Sequence, residues 1–267
     1  MKKTLKNNAI FSRKDIQQIG SRGLELNEVE RQLATYRKGP RYVNLQRPCV
    51  IHDGILSISP AQRNRWIALY EKESAGYKLL KFVPASGAAS RMFAEWFHAR
   101  TDEGFGSVQR DQLFIRNLKK HPFYCLISKN RQIMPHIRKK NIKIILDYIL
   151  SPEGLNYGRL PKALIPFHLY GKGEVRTALE EHLVEGAHYL RSQDNICHLH
   201  FTVSPEHKKN VIEKIKAVQA CYENIHRIKY KISLSVQSPA TDILAVDEKN
   251  LPFKDDGGNL VFRPGGH

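Results

Sequence analysis

The chain has 267 residues, 41% of them apolar, which supplies a real core and excludes an intrinsically disordered polypeptide. Its 43 lysines and arginines outnumber 26 aspartates and glutamates, and the net charge of +17 points to polyanionic company: nucleic acid, an anionic surface or a phosphate-bearing small molecule. Cys49, Cys125, Cys197 and Cys221 stand far apart with no CxxC pair, so neither a zinc cluster nor a disulfide framework is indicated, and each is expected to be a buried small apolar residue.

Lys2, Lys3 and Lys6 precede polar residues where the apolar stretch of a signal peptide would run. No apolar run approaches the ~20 residues of a membrane span, so a soluble, cytoplasmic chain is expected. Residues 1–76 read mostly as helix, with Leu26, Val29, Leu33 and Tyr36 at helical spacing. Ser59-Pro60 before Trp66, Ile67 and Tyr70 predicts a second capped helix, and 49–59 has room for a short strand. This part is expected to be a helical extension packed on the remainder of the chain.

From 77 to 267 the pattern becomes α/β. Leu79 to Val83 predicts a buried strand that breaks at Pro84 into the small residues 85–90, and Met92 to Ala99 resumes as helix. A basic helical region, densest from Arg110 to Lys143, runs to about Ile149. Thr177-Ala178-Leu179-Glu180 is a capping box opening a helix with Leu179, Leu183, Ala187 and Leu190 on one face. Cys197 to Val203 predicts a strand, Ser204-Pro205-Glu206 caps a helix reaching Cys221, and Tyr230 to Gln237 alternates as another strand. Strand alternating with helix is the order of a doubly wound sheet. Two short strands, 243–246 and 260–262, flank an Asp255-Asp256-Gly257-Gly258 turn.

The strongest local signal is Val83 to Met92, between strand and helix. The small side chains of Ala85, Ser86, Gly87, Ala88, Ala89 and Ser90 let backbone N–H groups approach an anion, and Arg91 offers a fixed fork to phosphate oxygens. A tight turn with small residues chosen for packing explains the same composition. No GK[ST] follows, and the three spaced glycines of a dinucleotide fold are missing. His182, His188, His198, His200 and His207 cluster in sequence without a recognisable ligand pattern, and no metal ligand is assigned.

Ala85 to Met92 resembles the A-G-G-x-G-T-R-[LM] loop of sugar-phosphate nucleotidyltransferases, matching it at Gly87, Arg91 and Met92. Pro161-Lys162-Ala163-Leu164-Ile165-Pro166 is similar to their P-K-x-L-x-P segment and 177–180 to their T-P-L-E helix start. Gln237-Ser238-Pro239 and Pro264-Gly265-Gly266-His267 resemble the uridine-contacting elements of UDP-sugar pyrophosphorylases. Residues 11–267 more closely resemble the N-terminal half of an uncharacterised bacterial family, a domain of unknown function distantly related to those enzymes.

The resemblance implies a nucleotidyltransferase-like (GT-A-type), Rossmann-like domain, incomplete at its C-terminal end, that transfers a uridylyl group to a sugar 1-phosphate in its full-length form. Amides of 86–90 and Arg91 would hold the departing pyrophosphate, Lys162 the α-phosphate or sugar phosphate, and Gln237, Gly265, Gly266 and His267 would lie near the base. Mg²⁺ would bridge phosphate oxygens. Gln237 equally suits satisfying backbone groups, and Thr241 and Asp242 stand open between turn-forming and metal-binding roles. A basic nucleic-acid-binding module and a catalytically inactive protein keeping the fold are the alternatives.

Overall fold

The computed structural model describes residues 10–39, 42–192 and 194–264, a mixed α/β arrangement with about 47% helix and several small sheets. The chain divides into two compact units, Met1–Trp66 with Gln237–His267, and Ile67–Val236.

Helix α1 (Arg13–Ser21) opens on a reciprocal cap: the Asp15 N–H donates to the Ser12 hydroxyl and the Ser12 N–H to the Asp15 carboxylate. Helix α2 (Leu26–Lys38) buries Val29 and Leu33 as their spacing predicts. A minimal parallel pair, β1 (Val50–Ile51) and β2 (Gly54–Ile55), comes next. Helix α3 (Pro60–Ser74) starts where Ser59-Pro60 predicts, with the Gln62 N–H donating to the Ser59 hydroxyl at 3.2 Å. It buries none of its residues, so the packing expected of Trp66, Ile67 and Tyr70 is corrected: all three are exposed.

The second unit holds a three-stranded parallel sheet in the order β3 (Leu80–Pro84), β6 (Ile196–Val203), β7 (Lys229–Val236). Between β3 and β6 the chain first makes five short helices: α4 (Ala94–Thr101), α5 (Val108–Asn117), α6 (Tyr124–Ile127), α7 (Met134–Arg138) and α8 (Ile142–Leu150). They bury Phe93, Phe114, Ile127, Ile145, Leu146 and Ile149 in a core of their own. A hairpin of β4 (Pro166–Leu169) and β5 (Val175–Thr177) leads into α9 (Ala178–Tyr189), which begins at the predicted capping box. Helix α10 (Lys208–His226) joins β6 to β7 and ends on Arg227 in the left-handed region.

Parallel pairing aligns Val83, Phe201 and Leu234 on one face of the sheet. Helices α9 and α10 cover that face with Leu179, Leu183, Val211 and Ile215. The opposite face carries Leu80 and Phe82, 58% and 51% exposed, together with His198, His200 and Ser233. Strand β3 is therefore buried at Val83 alone, which corrects the fully buried strand expected from its apolar run. Parallel sheets are ordinarily covered on both faces, and a run such as Leu79 to Val83 is composed for that environment. The described strands follow one another in a single direction across the sheet, without the reversal of a doubly wound fold.

After β7 the chain returns to the first unit, where β8 (Ile243–Leu244) pairs antiparallel with β9 (Phe262–Arg263). Leu244 and Leu260 share a core with Ile19, Val29 and Leu33. Of the four thiols only Cys197 is buried; Cys49 and Cys221 are exposed and Cys125 is intermediate, a correction to the expectation for all but the strand residue.

Candidate functional site

The pairing of β3 with β6 sets Pro84 beside Thr202, near the carboxyl ends of both strands. Ligands of open α/β sheets gather at this end, because the loops there diverge and leave a crevice. Ala85 is buried, and its N–H donates to the Thr202 carbonyl at 2.7 Å before the chain leaves the sheet. Ala88 then forms an antiparallel bridge with Pro161, and the Lys162 N–H donates to the Gly87 carbonyl at 2.9 Å. Buried Ala89 anchors the far side, its carbonyl accepting the Met92 N–H at 2.9 Å, and buried Phe93 leads into α4. Two of the sequence motifs, 85–92 and 161–166, are thus tied together by backbone contacts.

Between these anchors the loop is open. The N–H groups of Gly87, Ala88, Ser90 and Arg91 donate to no acceptor among the described residues. A Cβ added at Gly87 would meet no heavy atom within 4 Å, and the residue is not in the left-handed region, so neither packing nor turn geometry within the described residues demands glycine there. Arg91 and Lys162 are exposed, and neither forms an ion pair among the described residues. Lys162 is held in a short 3₁₀ turn between buried Pro161 and buried Ala163, which fixes its backbone and leaves its side chain in solvent. Ser86 is half-buried and engaged in a contact of its own. The amides, the exposed Arg91 guanidinium and the exposed Lys162 ammonium, unpaired among the described residues, form a positive surface suited to phosphate oxygens.

The Thr177 motif is used structurally. Its N–H and hydroxyl both donate to the Glu180 carboxylate at 2.8 Å, and Lys214 of α10 reaches the same oxygen at 2.9 Å. Burial works to raise the pKa of Glu180, but the Thr177 and Lys214 contacts prevail and hold the carboxyl below its ordinary value of 4.5. The segment positions α9.

Gln237, 9% exposed, directly follows β7, opens the C-terminal part of the other compact unit and is engaged in a contact of its own. Gly265, Gly266 and His267 lie outside the described residues. Thr241 and Asp242 have turn and ion-pair partners. Thr241 donates its hydroxyl to the Ser238 carbonyl at 2.8 Å, and the Asp242 carboxylate accepts from the Arg22 guanidinium at 2.7 Å. Arg22 also lies 4.5 Å over the Phe262 ring, within the unit formed by Ile243 pairing with Arg263.

Sequence reasoning missed Thr202. Its signal was the end of a strand ahead of Ser204-Pro205, but only parallel register sets it against Ala85. Of the clustered histidines, His200 has both ring nitrogens within 2.9 Å of the Ser233 and Ser235 hydroxyls and stacks on Phe82. Among the described residues no group of three His, Cys, Asp or Glu side chains is placed to hold a metal ion, and Val83 to Phe93 contains no carboxylate.

A family model described as a domain of unknown function, DUF4301, matches residues 12–267. The chain belongs to that family. No curated protein and no solved structure matches it. No helix among the described residues is long and apolar enough to cross a membrane.

Proposed function

We propose that the 85–92 loop, with Lys162, binds the phosphates of a nucleoside triphosphate or UDP-sugar and serves transfer of a uridylyl group to a sugar 1-phosphate. The observation that carries this reading is the Lys162 N–H to Gly87 carbonyl bond: it unites the two phosphate-type motifs while both cations stay unpaired among the described residues. The open space at Gly87 supports it further. In the proposed reaction a sugar phosphate oxygen attacks the α-phosphorus, forming the new P–O bond as the α–β anhydride breaks and pyrophosphate departs. The chain's part is positioning and neutralising charge, with the amides and Arg91 on the departing pyrophosphate and Lys162 on the α-phosphate. A divalent cation would be carried on the nucleotide's own phosphate oxygens.

Thermal-shift titration with UTP, ATP, UDP-glucose and UDP-N-acetylglucosamine, each with and without Mg²⁺, tests the reading, since a ligand bound only by the folded state must raise apparent stability. A uridine-selective rise is expected. No rise with any nucleotide overturns it and leaves the inactive-protein alternative.

A second reading, a nucleic-acid surface, is favoured by one observation. Arg116, Lys119, Lys120, Lys129, Arg131, Arg138, Lys139 and Lys140 are all exposed, and none forms an ion pair among the described residues. Arg110 and Lys143, at the ends of the stretch, are paired with Glu95 and Glu103. Duplex binding that loses about one unit of log–log salt slope per phosphate contact would support it.

A further inference from the structure

Strand β7 is bonded to β6 on one side and to no strand on the other among the described residues. Within a strand the N–H and C=O of one residue point to the same side, and successive residues alternate. Two contacts from α10 identify the outward set: the Tyr230 N–H donates to the Glu223 carboxylate at 3.1 Å, and the Tyr230 carbonyl accepts from the Gln219 amide at 3.3 Å. Tyr230 therefore faces away from β6, and by the two-residue repeat so do Ile232 and Leu234. Gln219 and Glu223 of α10 satisfy the outward groups of Tyr230. No side chain or loop among the described residues bonds those of Ile232 and Leu234.

A hollow of about 520 Å³ at this edge is lined by Ile212, Ile215 and Lys216 of α10 and by Lys231, Ile232 and Leu234, and it extends to Leu80 and His198 of the neighbouring strands. It meets a second hollow of about 450 Å³ that shares Ile212 and Lys216 and adds Lys208 and Lys209. Glu213 is the one acid among these lining residues, and Lys209 lies 4.0 Å from it.

Each feature constrains the occupant. Unpaired N–H and C=O groups in strand geometry are satisfied by another extended backbone. The isoleucine and leucine lining takes apolar side chains, and the lysines take acidic ones. They also repel a second copy of β7, which carries Lys229 and Lys231 itself. We propose that the β7 edge is a docking site for an extended polypeptide segment of alternating apolar and acidic residues, which joins the sheet as a further strand beside Ile232 and Leu234.

The probe is a short fluorescent peptide alternating valine with glutamate, titrated against the whole chain, with a valine–lysine peptide as its counterpart. Saturable binding of the acidic peptide alone is expected, with slowed amide exchange at Ile232 and Leu234. Ile232→Pro removes one outward N–H from an edge position that tolerates proline, and should weaken binding about tenfold or more. Should that variant fold poorly, the unaltered protein with an acidic peptide N-methylated on alternate residues makes the same test, because the methyl groups block strand pairing and spare the charge. Failure of the acidic peptide to bind, equal binding of both peptides, or undiminished binding of the N-methylated one would each overturn the proposal.

Discussion

The backbone N–H of Lys162 donates to the carbonyl oxygen of Gly87 at 2.9 Å, so two segments far apart in sequence share one backbone bond while the lysine side chain stays in solvent. Because that bond uses main-chain atoms, side-chain substitution at 162 leaves it intact, and binding can be separated from folding.

Arg91→Ala and Lys162→Ala should each leave the melting temperature unchanged, since neither side chain has an ion-pair partner among the described residues to lose. Each should weaken UTP binding about tenfold to a hundredfold, the effect of losing about 1.5–3 kcal/mol of hydrogen bonding to a charged group. Isothermal titration alongside thermal denaturation checks both; unchanged affinity would remove the phosphate role.

Gly87→Ala discriminates ligand space from turn geometry. The added Cβ has no heavy atom within 4 Å and the backbone is not left-handed, so the variant should be as stable as the unaltered chain or gain up to about 1 kcal/mol from a stiffer unfolded state. If phosphate occupies that space, the same methyl group should depress nucleotide affinity. A stability loss of several degrees would mean that the fold itself needs the glycine.

The Glu180 carboxylate gives the fold a pH dependence. Its folded pKa lies below the ordinary 4.5, so its contribution is complete above that value and is lost as the pH falls through the folded pKa. Glu180→Gln removes the charge paired with Lys214 and weakens the capping box, which should cost about 1–2 kcal/mol near neutral pH. The cost should shrink toward acid, where the unaltered chain also loses the charge. Urea denaturation across that range measures it; a cost independent of pH would reject the electrostatic part.

Helix α9 crosses β6 at Gly186, where a Cβ would lie 2.8 Å from the Cys197 sulfur and 3.2 Å from a Leu199 methyl. Gly186→Ala should therefore destabilise by about 1–3 kcal/mol, as overpacking of a close-packed core does. Chemical denaturation reads this directly, and a neutral result would show that the sheet yields at Cys197.

Short-range chemistry was legible from the sequence alone. The Thr177 and Ser59 caps, the strand around 197–203 and the helical stripe of Val29 and Leu33 depend on groups within a few residues of one another, and the structure has each in place. Composition likewise marked 85–92 as a loop able to expose its amides. Tertiary structure alone decided which features meet: Gly87 with Lys162, Ala85 with Thr202, and Leu244 and Leu260 with the core of the first helices. It also decided that Phe82 lies half in solvent, because an apolar run records a side chain's preference and not whether a helix lies over it. Those outcomes depend on register and on packing between distant segments, where the free energy belongs to the pair of surfaces and to neither sequence by itself.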